Sequence, residues 1–396
     1  MKSPCRSFFV VTLFLIFLVN ITQATAANRP PNIVIIFADD LGYGDLGCYG
    51  HPSISTPNLD RMAAEGMRFT DFYAAACVCT PSRAALLTGR LPVRSGMAGG
   101  PGRHVLYPNS PGGLPHDEIT IAEALKTKGY ATACIGKWHL GRPAEYLPTA
   151  HGFDYFFGIP FSNDMEPNGK MPKQASAKLD PDPNWWSVSL MRGTEVIEKP
   201  ADQATLTRRY TEEAIRFIRQ NKKKPFFLYM PHTFPHVPLF ASEQFRGKSA
   251  RGIYGDTVEE LDWSVGEILN ALRKEKLDKN TLVVFTSDNG PWLNKNLAGG
   301  TGGHLRDGKG GTWEGGMRVP AIAWWPDTIK AGVINRELAG TMDLFSTALS
   351  LAGVQPPSDR IIDGVDMTPL LTGKGPGKRD VHLFYYGDEL YAIRKG

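Results

Sequence analysis

Short apolar runs alternate with amphipathic segments along most of the chain, and this alternation predicts its fold class. The first run, 32–38, is continuously apolar and rich in β-branched residues, which is typical of a strand buried in the middle of a sheet. Helix-like and strand-like segments then follow one another. This order predicts an α/β fold with a large, mostly parallel sheet sandwiched by helices. The predicted strands are 32–38, 130–135, 225–230, 281–286 and 321–325, and the predicted helices are 56–66, 119–128, 206–220, 256–274 and 343–352.

Polar residues directly follow two of the predicted strands. Asp39 and Asp40 come after the first strand, and Asp288 and Asn289 lie just beyond the strand at 281–286. Either pair alone is a weak signal, because Asp and Asn are also common turn residues. Ligands of open α/β sheets bind beyond the carboxyl ends of the strands. The two pairs together therefore predict a binding site at that edge of the sheet.

The segment from Cys79 to Arg90 reads CTPSRAALLTGR and is the most informative stretch of the chain. Pro81 fits the first position of a helix, and Gly89 can end it. Cys79 is therefore predicted at a helix N-terminus, where unpaired N–H groups and the helix dipole favour a bound anion, with Arg83 one turn away. A buried cysteine ahead of an ordinary helix is the usual interpretation of an isolated Cys-x-Pro and is kept as the alternative.

Composition and charge place the chain among ordinary globular proteins. Of its 396 residues, 42% are hydrophobic and 21% are charged. This length exceeds the usual size of a single core, so we expect one large domain with an appended subdomain. The net charge of +4 is small and evenly spread, which argues against nucleic acid as a partner.

The N-terminus predicts a secretory signal peptide over 1–27. Its start is positively charged, the apolar run 8–19 is too short to span a bilayer, and 24–26 offers a small-residue cleavage pattern. We therefore expect an exported protein without a stable membrane anchor, with an uncleaved anchor as the alternative. The only N-x-S/T sequon, at Asn20, lies within the predicted signal, which fits a periplasmic or secreted bacterial protein better than a glycosylated lysosomal one.

Four cysteines follow the predicted signal peptide: Cys48, Cys77, Cys79 and Cys134. They are too sparse for a disulfide scaffold. Cys77 and Cys79 are separated by one residue, but no second cysteine pair completes the spacing of a zinc site. Neither a disulfide framework nor a zinc site is therefore expected.

Further motifs lie at 37–47 (FADDLGYGDLG), 136–141 (GKWHLG), 285–290 (FTSDNG) and 308–316 (GKGGTWEGG). With the cysteine motif, they resemble type I, formylglycine-dependent sulfatases in the branch of arylsulfatase A and N-acetylgalactosamine-6-sulfatase. The late segment 356–364 leans toward the latter. The resemblance starts at Pro31, covers most of the chain and implies an alkaline phosphatase-like fold. It implies a signal peptide at 1–27, a catalytic domain at 28–375 and, at 376–396, the start of a C-terminal antiparallel subdomain.

The resemblance also implies a catalytic residue made by oxidation. A maturase, the formylglycine-generating enzyme or an equivalent, would convert Cys79 to formylglycine, an aldehyde whose hydrate is a geminal diol. One hydroxyl, activated by Asp39 or Asp288, attacks sulfur. The second hydroxyl then gives its proton to His139, and the aldehyde reforms as sulfate departs.

The remaining site residues are likewise implied by the resemblance. One divalent cation is expected, and hard oxygen ligands suit calcium or magnesium rather than zinc, with calcium as the family's ion. His236 is assigned to protonate the leaving alcohol. His232 is kept in reserve, because both histidines follow the strand at 225–230. The implied metal ligands are Asp39, Asp40, Cys79, Asp288 and Asn289, the implied catalytic residues are Cys79, Arg83, Lys137, His139, His236 and Lys309, and the implied substrate-binding residue is Ser162.

The substrate implied by the resemblance is a sulfated sugar or an aryl sulfate, with a galactose-type 6-sulfate as the expectation from this branch. Two alternatives are kept. One is a phosphomonoesterase or phosphodiesterase on the same fold, because sulfate and phosphate esters share tetrahedral geometry. The other is an exported sulfoglycan-binding protein whose catalytic centre is unmodified or incomplete. The segments 96–113 and 161–203 are expected to set specificity. Assembly into a homo-oligomer is left open.

Overall fold

The computed structural model describes residues 1, 29–99, 104–169 and 179–396. Apart from Met1, the predicted signal peptide at 1–27 lies outside the described residues and stays a prediction. Within those residues, no helix is long and apolar enough to cross a membrane.

The described part of the chain alternates between strands and helices, as the apolar pattern predicts. The strands are β1 (Asn32–Ala38), β2 (Met67–Phe69), β3 (Phe72–Tyr73), β4 (Ala131–Lys137), β5 (Tyr155–Ile159), β6 (Leu190–Arg192), β7 (Glu195–Glu198), β8 (Phe226–Pro231), β9 (Thr281–Ser287), β10 (Ala321–Trp324), β11 (Val333–Asn335), β12 (Ala339–Gly340), β13 (Val381–Tyr386) and β14 (Glu389–Lys395). The α-helices are α1 (Pro57–Glu65), α2 (Cys79–Thr88), α3 (Ile121–Lys126), α4 (Leu206–Asn221), α5 (Ile253–Lys274), α6 (Glu314–Met317), α7 (Asp343–Ala352) and α8 (Thr368–Leu371).

One large sheet organises the molecule, with the strand order β11-β2-β10-β9-β1-β8-β4-β5-β6-β7. The central strands from β9 to β5 run parallel to one another. Antiparallel pairs occur toward the edges, at β10 on one side and at β6 and β7 on the other. The predicted α/β fold with a mostly parallel sheet is therefore confirmed, although the predicted strand at 321–325 forms the antiparallel β10.

Strand β1 lies in the middle of the sheet and is buried on both faces. Its residues at positions 33, 35 and 37 enter one apolar core together with residues of α2, α3 and α7. Those at positions 34, 36 and 38 enter a second core together with residues of α1, α4 and α5. Because side chains alternate between the faces of a strand, burial of both faces requires the uninterrupted apolar run seen in the sequence.

The helix that carries Cys79 begins two residues earlier than predicted. Helix α2 starts at Cys79 itself, after an extended Val78, so that Pro81 is its third residue rather than its first. The first N–H groups of a helix have no intrahelical partner, and a proline is therefore tolerated within the first turn. Gly89 ends the helix as predicted, in the left-handed region at φ 67°. Cys79 thus belongs to the helical first turn.

The C-terminal residues form an antiparallel hairpin of β13 and β14, which agrees with the implied start of a C-terminal subdomain. Arg394 in β14 contacts the carboxylate of Asp71 at 2.7 Å. Phe384 in β13 packs edge-on against Tyr73, with 5.9 Å between ring centroids. These contacts dock the hairpin beside the chain that leads into α2. The boundary between 375 and 376 stays a prediction.

The segment 161–203, which is expected to set specificity, contains regular secondary structure. Its strands β6 and β7 extend the sheet beyond β5. Trp186 is buried and packs edge-on against Phe240. Residues 170–178 of this segment, and residues 100–103 of the other predicted specificity segment, lie outside the described residues.

Candidate active site

The two acidic pairs meet at the carboxyl edge of the sheet. Strands β1 and β9 are neighbours, and Ala38 pairs with Ser287, so the residues that follow them emerge side by side. The backbone N–H of Asp40 donates to Asp288 Oδ1 at 3.1 Å, and the Asn289 side-chain amide donates to Asp40 Oδ1 at 2.8 Å. The structure thus brings together two pairs of residues that are almost 250 positions apart along the chain, Asp39 with Asp40 and Asp288 with Asn289.

Cys79 lies against this acidic group. Its Sγ and one carboxylate oxygen each of Asp39 and Asp288 all lie within 4.8 Å of one another. A second set with the same spacing is formed by Asp39, Asp40 and His236. Both sets are fully buried, and they share Asp39. The first turn of α2 therefore points its cysteine at the group of oxygens that a cation would use.

Two oxygen atoms of this group are left without partners. Among the described residues, Asp39 Oδ1 and Asn289 Oδ1 are buried and accept no hydrogen bond. Burying an unsatisfied polar oxygen costs free energy, so such atoms call for a partner. One carboxylate and one amide oxygen, beside further carboxylates, are the ligand types of a hard divalent cation. The residues present therefore fit calcium or magnesium.

Arg83 and Lys137 are two buried cations that bind aspartates of the site. The Arg83 guanidinium donates from Nη2 and Nε to Asp288 Oδ2, at 2.7 and 3.0 Å, and from Nη1 to the carbonyl of Lys137 at 2.7 Å. The Lys137 ammonium donates to Asp39 Oδ2 at 2.5 Å. Both cations are completely buried. Each buried charge is thus paired, as a low-dielectric site requires.

Lys309, Ser162 and His236 complete the group of polar side chains in the site. Lys309 Nζ donates to the carboxylate of Asp40 at 2.8 Å. Ser162 Oγ accepts from Lys137 Nζ at 3.1 Å and lies 3.3 Å from His236 Nε2. His236 Nε2 lies 3.7 Å from Asp40 Oδ2. His236 is therefore placed within reach of a group that leaves from the site.

His139 follows β4 with its backbone in the left-handed region at φ 62°. Its Nε2–H donates to the carbonyl of Leu106 at 2.8 Å, while Nδ1 is buried without a partner among the described residues. Burial, together with the charges of Lys137 and Arg83, lowers the pKa of His139 well below its usual value. A neutral imidazole with a free ring nitrogen can accept a proton.

Burial and charge act in opposite directions on the acidic residues. Burial opposes ionisation of Asp39, yet Lys137, His236 and Arg83 together hold its pKa below the ordinary value. Burial and the neighbouring Asp39 charge raise the pKa of Asp288 to about 7. Burial also raises the pKa of the Cys79 thiol. An unmodified Cys79 is therefore a protonated thiol at neutral pH, which is a poor nucleophile.

The structure distinguishes the two candidate histidines after β8. The ring of His232 packs near Tyr210, with 6.3 Å between ring centroids, and both of its nitrogens are buried without a partner among the described residues. Burial lowers the pKa of His232 to about 3. Only His236 of this pair contacts Ser162 and approaches Asp40 in the described contacts.

Two residues of the site, Trp292 and Asp164, are not among the individual site residues predicted from the sequence. The Trp292 ring lies 4.3 Å from Lys309 Nζ and 5.4 Å from the His236 ring. Asp164 interacts with the Ser162 side chain and feels the charges of Lys137 and Lys309. Each lies within three positions of a predicted site residue, which is the signal that would have pointed to it.

The site suits a tetrahedral anion, because cations and a helix N-terminus meet at one reactive position at the carboxyl ends of parallel strands. Fold and site together define an ester hydrolase with an alkaline phosphatase-like architecture. A family model described as Sulfatase matches residues 31–354, and the chain belongs to the sulfatase family. It is therefore a sulfuric ester hydrolase, as the motifs predict.

Relatives and solved structures agree with this assignment. The chain is 47% identical over 386 residues to N-acetylgalactosamine-6-sulfatase of Mus musculus, covering 94% of this chain and 72% of the relative. It is 46% identical over 391 residues to arylsulfatase A of Homo sapiens, covering 96% and 76%. The PsFucS1 sulfatase structure from Pseudoalteromonas sp. superimposes with a TM-score of 0.82 at 32% identity, covering 96% of this chain and 79% of that one. The predicted fold class is thereby confirmed.

Proposed function

We propose that this sulfatase hydrolyses sulfate monoesters of carbohydrates, using Cys79 converted to formylglycine and one calcium ion. The observation that carries the proposal is the position of Cys79, in the first turn of α2, with carboxylate oxygens of Asp39 and Asp288 within 4.8 Å of its Sγ. A hydrated aldehyde at this position supplies two hydroxyl groups, one to attack sulfur and one to expel sulfate. A maturase that oxidises Cys79 is therefore a required partner.

Calcium would be held by Asp39, Asp40, Asp288 and Asn289, with the modified Cys79 completing the set. The unpartnered oxygens of Asp39 and Asn289 support this assignment. When bound, a divalent cation stabilises an oxygen nucleophile and withdraws charge from the sulfuryl group.

The basic residues neutralise charge that grows on the sulfate oxygens in the transition state. Lys137 and Lys309 are each hydrogen-bonded to one of the two aspartates that follow β1, Asp39 and Asp40 respectively. Arg83 holds Asp288 with two hydrogen bonds and so fixes its orientation. Preorganised donors of this kind need no rearrangement as charge develops.

Proton transfer is assigned to two histidines. His236 donates to the leaving alcohol, and its contacts with Ser162 and Asp40 support this role. His139, neutral and with Nδ1 free, takes the proton of the second hydroxyl as sulfate is released. The hydrogen bond from Nε2 to the Leu106 carbonyl fixes the tautomer that leaves Nδ1 available.

A galactose-type 6-sulfate is the proposed substrate class, supported by the identity to N-acetylgalactosamine-6-sulfatases and by the motif at 356–364. Export to the periplasm or the medium of a bacterium is proposed from the N-terminal pattern alone.

Sulfate release from a panel of defined sugar sulfates tests the proposed function. We expect hydrolysis of galactose-type 6-sulfates, and a higher kcat/KM for an aryl sulfate than for the matching aryl phosphate. Ion chromatography of released sulfate and phosphate provides the measurement. A preference for phosphate would favour the phosphatase alternative, and binding of sulfated glycans without any turnover would favour the binding-protein alternative.

Removal of calcium provides a second test. Chelation should lower kcat/KM roughly 100-fold or more, because a metal ion contributes several kcal/mol of transition-state stabilisation. It should also lower Tm, because an ion bound only to the folded state stabilises that state. Asn289→Ala should raise the calcium concentration needed for both effects, roughly 10- to 100-fold. Asn221→Ala, at the end of α4, is the matched control. Equal activity and equal Tm with and without calcium would refute the metal assignment.

A further inference from the structure

Asp164 projects from a turn that is anchored on both sides. The turn follows β5, and the backbone N–H of Met165 donates to the carbonyl of Ser162 at 3.2 Å. Between them, the buried Asn163 side chain donates to Gln203 Oε1 at 2.8 Å and to the Pro238 carbonyl at 3.0 Å. These bonds fix the backbone at the position from which the Asp164 carboxylate extends.

The Asp164 carboxylate is only partly satisfied. It interacts with the Ser162 side chain and feels the charges of Lys137 and Lys309, all of which belong to the catalytic site. Its Oδ1 atom is nevertheless buried without a hydrogen-bond partner among the described residues. A buried carboxylate oxygen normally accepts a hydrogen bond, and this one lacks a donor. Asp164 can therefore accept one more hydrogen bond from a donor that enters the site.

Three kinds of partner for the free Asp164 oxygen can be compared: a sulfate oxygen, a cation and a neutral hydroxyl. A sulfate oxygen is excluded, because two anionic oxygens repel each other. A bound cation is disfavoured, because Asp164 belongs to neither of the groups whose ligand atoms converge in the described residues, and two lysine charges already face it. A neutral hydroxyl remains, since an O–H donates well to a carboxylate.

The position of Asp164 indicates which part of a substrate carries this hydroxyl. Asp164 interacts with Ser162, whose Oγ lies 3.3 Å from His236 Nε2, the proposed proton donor to the leaving oxygen. Ser162 therefore links the Asp164 carboxylate to the proposed proton donor. The matching donor is a hydroxyl on the sugar ring close to the carbon that bears the sulfate. A simple aryl sulfate has no such hydroxyl.

We propose that Asp164 is a specificity-determining residue that accepts a hydrogen bond from a free sugar hydroxyl next to the sulfated position. This inference rests on the proposed carbohydrate sulfatase function and deepens it. It assigns the selection of carbohydrate esters over aryl esters to one carboxylate at the edge of the catalytic group.

Substrate selectivity of Asp164→Ala and Asp164→Asn tests the inference. We expect the ratio of kcat/KM for galactose 6-sulfate to kcat/KM for 4-nitrophenyl sulfate to fall roughly 10- to 100-fold in Asp164→Ala, because a hydrogen bond to a charged group is lost. A smaller fall is expected in Asp164→Asn, whose amide oxygen still accepts. Asp154→Ala, which removes a half-exposed carboxylate just before β5 that is paired with Lys126, is the matched control and should leave the ratio unchanged.

Deoxygenated substrates give an independent readout with the native protein. The values of kcat/KM for galactose 6-sulfate and for its 4-deoxy and 3-deoxy analogues are compared. With native protein, kcat/KM for one of the analogues should be lower than for galactose 6-sulfate by a similar factor. With Asp164→Ala, the same analogue should differ little from galactose 6-sulfate. This comparison is informative even if the variants do not fold. If removal of neither hydroxyl changes kcat/KM of the native protein, the inference is overturned.

The outcomes distinguish failure of the specificity inference from failure of the proposed carbohydrate sulfatase function. If native protein hydrolyses sugar sulfates but Asp164→Ala lowers both kcat/KM values in parallel, Asp164 only positions Ser162 and His236, and the specificity inference fails alone. If native protein hydrolyses aryl sulfates and no sugar sulfate, the proposed carbohydrate function fails, and the inference fails with it.

Discussion

Cys79→Ser should abolish multiple turnover, with kcat lowered on the order of 10⁴-fold or more, as for loss of other catalytic nucleophiles. A serine hydroxyl in the first turn of α2 can still be aimed at sulfur, but serine carries one hydroxyl where a hydrated aldehyde carries two. The second hydroxyl is the group that expels sulfate. The variant should therefore react once with substrate and stop, with the sulfuryl group on the serine oxygen, whereas Cys79→Ala should not react at all.

Mass spectrometry of the tryptic peptide 69–83 provides the measurement. In the native, exported protein this peptide should have the mass of the aldehyde rather than the thiol, and in Cys79→Ser it should gain one sulfuryl group after substrate is added. Cys77→Ser is the matched control, because Cys77 is also buried and lies in the same peptide. It should retain most of the activity. Sustained turnover by Cys79→Ser would contradict the mechanism, and a retained thiol in active native protein would do the same.

His236→Ala should give the second largest loss, and the loss should depend on the leaving group. General acid catalysis typically contributes about 10²- to 10⁴-fold. A sugar alkoxide is a poor leaving group and needs the proton, whereas 4-nitrophenolate leaves well without one. We therefore expect a loss in this range on galactose 6-sulfate and a much smaller one on 4-nitrophenyl sulfate.

His232→Ala is the matched control for this prediction. It removes a buried histidine that follows the same strand, and its effect should fall on Tm rather than on the dependence of rate on the leaving group. A plot of log kcat/KM against leaving-group pKa for both variants provides the test. Equal losses on good and poor leaving groups in His236→Ala would show that His236 does not donate the proton.

Much of the fold is encoded locally and could be predicted. The strand at 32–38 and the helix at 343–352 have the bounds that the apolar pattern predicts, because elements buried on nearly every face leave apolar runs that are visible in the sequence. The start of α2 was predicted two residues late, because Pro81 is acceptable at several positions of a first turn and so does not define which one it occupies.

The candidate site divides in a similar way. Asp39 and Asp288 could be chosen because each directly follows an apolar strand, a relation visible in sequence. The choice of His236 over His232 comes from the family resemblance, and the structure adds a physical reason, namely that only His236 contacts Ser162 in the described residues. Asp164 and Trp292 were missed, because an aspartate and a tryptophan in irregular segments have many ordinary explanations.

The sequence by itself determined the α/β class, the order of strands and helices along the chain, the cysteine at a helix start and the membership in the sulfatases. These properties depend on periodicity and on motifs of neighbouring residues. Only the tertiary structure decided that β1 and β9 are adjacent, that Arg83 binds Asp288, and that one oxygen of Asp164 is buried without a partner. These contacts join residues far apart in the chain, and they depend on strand order and side-chain packing, which no local pattern encodes.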